Sequence, residues 1–169
     1  MKYVAGILVV LIYLPIFLLS IKRDFRKRFS EINSKKFWDL AVEFVVGILY
    51  FLVIVFSFFS ELGTGVLFFM GTLIYFIGLV LTCRGYYVFN ENSGLIIKDV
   101  FSVSRNPTYV FGFVAIFGVA IMTRSLCVFG LLLLTMILTN RIMVNEEKFL
   151  EKKFGKKYLE YKGKVGRWI

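Results

Sequence analysis

The sequence predicts an all-α integral membrane protein with five transmembrane helices and a C-terminal amphipathic helix on the cytoplasmic side. Hydrophobic residues make up 59% of the 169-residue chain, and the mean hydropathy is +0.78. A soluble domain of this length cannot bury so much apolar surface, so the solvent around most of the chain is lipid. The apolar residues also fall into runs long enough to cross a bilayer, and the basic residues collect between those runs.

The first predicted span covers residues 3–21, a largely apolar run of 19 residues that contains Pro15. A cleaved signal peptide is the alternative. We expect a retained anchor, because the run is long for a signal sequence and no small-residue cleavage site follows it. Residues 22–36 carry seven basic and two acidic residues. We interpret them as a cytoplasmic topology signal, the alternative being a contact with anionic lipid or a substrate headgroup.

The other spans are predicted at residues 40–59, 65–83, 107–123 and 126–139. Glycines at 65, 71 and 78 allow close helix contact in the third span, and Pro107 suits the first turn of the fourth. Of the 21 basic residues, 18 lie in segments 22–36, 84–106 and 145–169. The positive-inside rule therefore predicts a multi-pass protein of the inner or plasma membrane, with its N-terminus outside and its C-terminus in the cytoplasm.

Residues 145–169 are predicted to form the amphipathic helix. Apolar side chains recur there at spacings of three or four residues, which places them on one helical face, and lysines surround them. The members of this stripe are Leu150, Phe154, Tyr158, Tyr161 and Val165.

Composition excludes several kinds of site. The chain has no histidine, which removes the commonest general base and the commonest metal ligand, and we predict no metal site. Nucleic acid is not an expected partner, because the basic residues flank spans and form no separate soluble module. Cys83 and Cys127 are predicted at opposite membrane faces, about 30 Å apart. Both are therefore expected to be free thiols.

Two polar segments lie where apolar runs meet water. Charge placed beside lipid is costly unless it has a partner or a function, so these segments are the candidate site. The first reads Ser104-Arg105-Asn106-Pro107-Thr108-Tyr109. The second reads Glu146-Glu147-x-x-Leu150-x-x-x-Phe154-Gly155-x-x-Tyr158-x-x-Tyr161-x-x-x-Val165-Gly166-Arg167.

These segments resemble the isoprenylcysteine carboxyl methyltransferase family and the related membrane phospholipid methyltransferases. The resemblance covers about residues 98–169. Asn106 stands where the family usually has a histidine, and Gly166 stands where it has a proline. A chain of 169 residues usually forms one domain, so we predict a single membrane domain over residues 1–169. Hydropathy predicts three N-terminal spans in 1–83, and the resemblance implies a cofactor-binding region in 84–169.

The resemblance further implies methyl transfer from S-adenosylmethionine to a lipophilic acceptor: a carboxylate such as a prenylcysteine, or a thiol, an amine or a phospholipid headgroup. The expected partners are therefore this lipophilic substrate and membrane lipids. The implied cofactor-binding residues are Lys98, Asn106, Pro107, Tyr109, Glu146 and Glu147. The implied catalytic residues are Arg141, Glu146 and Arg105. An arginine suits the orientation of a carboxylate acceptor, whereas an amine acceptor needs Glu146 or Glu147 as a base.

Other interpretations stay open. The chain could be a non-catalytic lipid-binding membrane protein, or a nicotinamide-dependent membrane reductase of similar fold. Glu146 and Glu147 could simply complement the dipole of the last helix, and Tyr158 and Tyr161 are expected to be packing residues. If the chain is an enzyme, Asn106 and Glu146 should line one cavity. Arg141 lies about 140° from Glu146 around an unbroken helix, so pairing them requires a helix break near residues 144–145.

Overall fold

A computed structural model describes residues 3–20, 37–91 and 94–169. In these ranges the chain forms six α-helices and one short 3₁₀ helix, without strands. The helices are α1 (Val4–Ser20), α2 (Phe37–Phe59), α3 (Val66–Glu91), α4 (Pro107–Thr123), α5 (Leu126–Phe154) and α6 (Lys156–Lys162), and the 3₁₀ helix is Asp99–Ser102. The all-α prediction is therefore confirmed for the described residues. The basic segment 22–36 lies outside them.

Three of the described helices, α2, α3 and α5, are long and apolar enough to cross a membrane. Helices α1 and α4 are also apolar, but they are shorter, with 17 residues each. The five long helices alternate in direction. We call the end of the bundle where α4 begins the polar end and the end where α4 stops the far end.

Helices α3 and α4 pack with their backbones in contact. A Cβ atom added at Gly118 would lie 2.5 Å from the backbone nitrogen of Tyr75, and one at Gly71 would lie 2.7 Å from the carbonyl oxygen of Gly118. A Cβ at Gly78 would overlap the backbone of Ala115. The predicted role of the third-span glycines is thus confirmed at Gly71 and Gly78, because small residues let helices approach closely where no hydrophobic effect drives them together.

Helix α4 lies at the centre of the bundle. Eleven of its 17 residues are buried, on all sides of the helix. Helices α1 and α3 contact it, α2 packs against α5, and α1 also packs against α2 and α3. The Tyr75 hydroxyl of α3 donates a hydrogen bond of 2.8 Å to the carbonyl oxygen of Leu8, which fixes α1 against α3. A residue near the start of α4 is therefore held by neighbours from several helices.

Two predicted boundaries are wrong. Helix α3 continues past Cys83 to Glu91. The separate amphipathic helix over 145–169 does not form: α5 runs unbroken from Leu126 through Phe154, and only α6 and a non-helical segment follow. The break comes at Gly155, whose φ of +54° favours glycine. The helix break near 144–145 that would pair Arg141 with Glu146 is absent.

At the far end, two interhelical turns are bonded together. The backbone N–H of Gly63 donates to the carbonyl oxygen of Met122 (2.7 Å). Arg124 ends α4 in the left-handed conformation, and its Nη2 donates to the carbonyl oxygen of Thr64 (2.9 Å). Both cysteines are free, as predicted: Cys127 is exposed at the start of α5, and Cys83 is half-buried on α3.

Candidate functional site

The turn that leads into α4 is fixed by Ser104. This buried side chain accepts a hydrogen bond from the backbone N–H of Asn106 (3.0 Å) and donates one to the carbonyl oxygen of Arg167 (2.9 Å). Pro107 then occupies the first turn of α4, where its missing N–H costs nothing. Asn106 is the N-cap residue, yet its side chain does not bond the helix. The amide is thereby available for another partner.

That partner is Glu147, which is 2% exposed and lies on the α5 face turned towards this turn. Its Oε1 accepts from Asn106 Nδ2 (3.2 Å) and from Arg167 Nε (2.7 Å), and its Oε2 accepts from Arg167 Nη2 (3.1 Å). Arg105 Nη1 lies 3.4 Å from Oε2. We call these four residues the Glu147 cluster. The bidentate arginine contact is among the strongest side-chain hydrogen-bond geometries.

The Glu147 cluster holds two guanidinium groups and one carboxylate, so it carries an excess positive charge. The Arg105 side chain is 8% exposed, and its Nε and Nη1 atoms have no hydrogen-bond acceptor among the described residues. Buried charges normally use their hydrogen-bonding capacity. An unsatisfied guanidinium at the start of a helix, where backbone N–H groups are also unpaired, is chemically suited to an anion such as a carboxylate.

Arg167 reaches the Glu147 cluster because residues 163–169 fold back towards α4. The carbonyl oxygen of Gly166 accepts a hydrogen bond from the backbone N–H of Arg105 (3.0 Å). The next side chain, Trp168, places its ring 6.1 Å from the ring of Phe113 in the core. The hydrogen bonds that Arg167 donates to Glu147 raise the pKa of Arg167 above its ordinary value. This guanidinium therefore remains charged at any physiological pH.

Two tyrosines of α6 lie beside the Glu147 cluster. Tyr161 donates its hydroxyl to the carbonyl oxygen of Phe101 (2.5 Å), and its ring contacts that of Tyr158 edge to face at 5.9 Å. Burial raises the pKa of Tyr161 to about 12 and raises that of Tyr158 further. Both phenols are therefore neutral. The buried Tyr158 hydroxyl has no hydrogen-bond partner among the described residues.

Glu146 belongs to a second, adjacent network. It is one residue before Glu147 and so points about 100° away around α5. Its Oε1 accepts a hydrogen bond of 2.9 Å from the Tyr109 hydroxyl. One residue earlier, Asn145 donates to Asp39 of α2 (2.8 Å). Three consecutive polar residues thus contact three different elements, and Glu146 is the more solvent-accessible of the two glutamates.

The structure brings together six of the eight predicted site residues. Mutual contacts join Arg105, Asn106 and Glu147. A hydrogen bond joins Glu146 to Tyr109 beside them. Pro107 lies between Asn106 and Tyr109 in the first turn of α4. The Asn106 amide contacts Glu147 rather than Glu146, so the two residues expected to line one cavity belong to adjacent networks.

Lys98 and Arg141 are not brought to the site. Both are exposed, and neither side chain has a hydrogen bond or ion pair within the described ranges. Sequence reasoning assigned no role to Ser104 or Arg167. Their position inside the two motifs was the feature of the sequence that could have identified them as site residues. Among the described residues no group of three acidic, cysteine or histidine side chains could hold a metal ion.

Comparison with known protein families gives a match over most of the chain. The sequence model of a phospholipid methyltransferase family matches residues 42–157, which is 116 of the 169 residues. The matched region contains most of α2 and all of α3, α4 and α5, including Asn106, Tyr109 and both glutamates. It stops before Arg167. A search of curated proteins finds no match.

Proposed function

The chain belongs to the phospholipid methyltransferase family, and from this premise we propose that it transfers a methyl group from S-adenosylmethionine to a lipophilic acceptor dissolved in the membrane. The observation that carries the proposal is the family match over residues 42–157, which includes the core of both polar networks. Glu146 and Glu147 lie side by side on α5, and Asn106 and Tyr109 lie in the first turns of α4.

The residues at the polar end fit such a cofactor. Its amino-acid part is a zwitterion with one carboxylate and one ammonium group. Arg105 offers buried donors without acceptors, and the start of α4 offers backbone N–H groups, both suited to the carboxylate. Glu146 offers a carboxylate for an ammonium group. S-adenosylmethionine, when bound, supplies an electrophilic methyl group. Asn106, Pro107, Tyr109 and Glu147 shape and orient this site in the proposal.

Methyl transfer is an in-line displacement, so the chain's task is alignment in a dry pocket. For a phospholipid amine the acceptor must first lose a proton. Glu146 is our candidate base, because the Tyr109 hydroxyl fixes its orientation at 2.9 Å. Glu147 is not our candidate, because its carboxylate already accepts three hydrogen bonds, one from Asn106 and two from Arg167. For a carboxylate acceptor no base is required, and Arg105 would orient the substrate. We favour the amine, because in this proposal Arg105 already holds the carboxylate of the cofactor.

Binding and turnover of two matched variants test this proposal. Calorimetry should show S-adenosylmethionine binding to the purified protein, and Arg105→Gln should weaken it. Glu146→Gln separates the two uses of that carboxylate: lost binding assigns it to the cofactor, and retained binding with lost methylation of added phosphatidylethanolamine assigns it to the base. No binding to the wild-type protein, or binding of reduced nicotinamide dinucleotide instead, would reject the methyltransferase proposal.

We also propose the full topology: five spans in one domain, an outside N-terminus and a cytoplasmic polar end. The apolar character of α1 and α4 supports the count, and the concentration of lysines on α5 and α6 near the polar end supports the orientation. The exposed Cys127 at the far end provides a test. A membrane-impermeant maleimide should label it in intact cells, and labelling only after lysis would reverse the orientation.

A further inference from the structure

A groove opens at the far end of the bundle, on the opposite side of the membrane-spanning region from the candidate site. Its volume is about 330 Å³. Phe117 of α4 and Phe129 of α5 line it, with ring centroids 6.1 Å apart. One turn further along α4, Ala120 contributes only a methyl group. This small side chain leaves the space between α4 and α5 unfilled.

The rim of the groove is apolar. Leu67 of α3 and Leu126 of α5 lie along it, and Leu126 is 85% exposed. A leucine exposed in this way gains about 1.5–3 kcal/mol when an apolar environment replaces the water around it. In the topology proposed above, the rim therefore faces lipid chains.

One cation lies at the mouth of the groove. Arg124 lines it at the turn between α4 and α5, and its hydrogen bond to the Thr64 carbonyl uses one of its five N–H donors. Within the described part of the chain no carboxylate forms an ion pair with it. The nearest acidic residue in sequence at this end is the exposed Glu61, in the facing turn. An arginine held above an apolar groove at a bilayer surface is complementary to a lipid phosphate.

We propose that this groove binds one phospholipid of the leaflet at the far end, with its phosphate on Arg124 and part of one acyl chain over Phe117 and Phe129. Ligand clefts in proteins measure about 300–1,000 Å³, so the groove accommodates part of a single chain while the rest of the lipid stays in the bilayer. A free phosphate ion would leave the apolar part unfilled. The proposal does not rest on the methyltransferase function, since no residue of the polar end takes part.

Native mass spectrometry of the purified protein, titrated with phosphatidylglycerol in detergent, tests the site. Arg124→Asn removes the charge but tolerates the left-handed backbone at this position (φ 52°). Ala120→Leu fills the groove and keeps the charge. Lys152→Gln is the matched control, because it removes an exposed basic residue at the polar end.

The wild-type protein and Lys152→Gln should retain one lipid through delipidation. Arg124→Asn should weaken this binding about tenfold or more, as expected for a lost charge-assisted hydrogen bond to phosphate. Ala120→Leu should abolish it. Inorganic phosphate should not compete, whereas diacylglycerol, which lacks the phosphate, should bind as weakly as the lipid binds Arg124→Asn. The proposal would be overturned if all variants retained phosphatidylglycerol equally well. It would also be overturned if the wild-type protein retained diacylglycerol as well as phosphatidylglycerol. Thermal unfolding of each variant confirms that folded protein is compared, and the two substitutions test the same site independently.

Discussion

Replacing Glu147 by glutamine should destabilise the protein more than any other conservative change at the polar end. The carboxylate is the shared counter-charge of Arg167, at 2.7 and 3.1 Å, and of Arg105, at 3.4 Å. Glutamine keeps the shape but leaves two guanidinium groups without a counter-charge. Removing one partner of a buried ion pair costs about 3–5 kcal/mol. The Arg167 side chain is 27% exposed, so we take the lower end, about 3 kcal/mol.

For a chain of this size, 1 kcal/mol corresponds to roughly 2–4 °C in Tm, so Glu147→Gln should melt roughly 6–12 °C below the wild-type protein. The assay is thermal unfolding in one detergent at fixed protein concentration. Glu146→Gln is the matched control on the next residue. It weakens the hydrogen bond that Glu146 accepts from Tyr109 but keeps an acceptor, which should cost about 1 kcal/mol.

A double variant checks the physical reason. Adding Arg167→Gln to Glu147→Gln removes one of the two uncompensated cations, so the double variant should melt no lower than the single variant. If Glu147→Gln melts within 2 °C of the wild-type protein, or if Glu146→Gln loses as much stability, then the Glu147 cluster does not hold the polar end together as argued.

Three further predictions concern other contacts. Gly78→Ala should cost about 1–3 kcal/mol of unfolding free energy, because the added methyl group overlaps the backbone of α4. In the control variant Gly112→Ala the methyl group meets no atom within 4 Å, so this variant should be neutral or stabilised by up to about 1 kcal/mol. Equal unfolding midpoints for the two variants would contradict the packing argument. Tyr161→Phe should cost about 1 kcal/mol at pH 8 through its lost hydrogen bond. The pKa of Tyr161 is raised from 10.0 to about 12, so its contribution is complete below pH 10 and is lost as pH rises towards 12; the stability gap between the two proteins should therefore narrow over that range, and a constant gap would count against it. Trp168→Ala should speed tryptic cleavage at the neighbouring lysines, because the ring contact that holds residues 163–169 against the core is lost; unchanged cleavage would show that the ring does not anchor the segment.

The sequence predicted the parts of the fold that depend on local signals. Pro107 begins α4 and Thr123 ends it, as the proline and the end of the apolar run indicate. The predicted end of the fifth span, at residue 139, does not match the end of α5. Polar residues at 140–147 are typical of a chain that leaves the membrane, and we therefore expected the helix to end there. In the structure their side chains have partners, such as Asp39 for Asn145, so the helix continues through them to Gly155.

The site could be predicted only in part, for a similar reason. Motif spacing brought attention to Asn106 and the two glutamates, but it does not show which glutamate meets which partner. That depends on the rotation of α5 about its axis, which packing against α2 and α4 determines. Arg167 reaches Glu147 from 20 residues away, and its backbone bonds Ser104 across 63 residues. Contacts at such separations leave no periodic pattern in the sequence.

The glycine contacts between α3 and α4 limit how a molecule from the bilayer can reach the polar end. Where two backbones touch, at Gly71, Gly78 and Gly118, no side chains are present that could swing aside, and separating the pair would break contacts along its whole length. We therefore expect α3 and α4 to move as one rigid unit during any catalytic cycle. A lateral entrance for a lipid acceptor would then lie on the opposite side of α4, where α5 contacts α4 through side chains that can change rotamer.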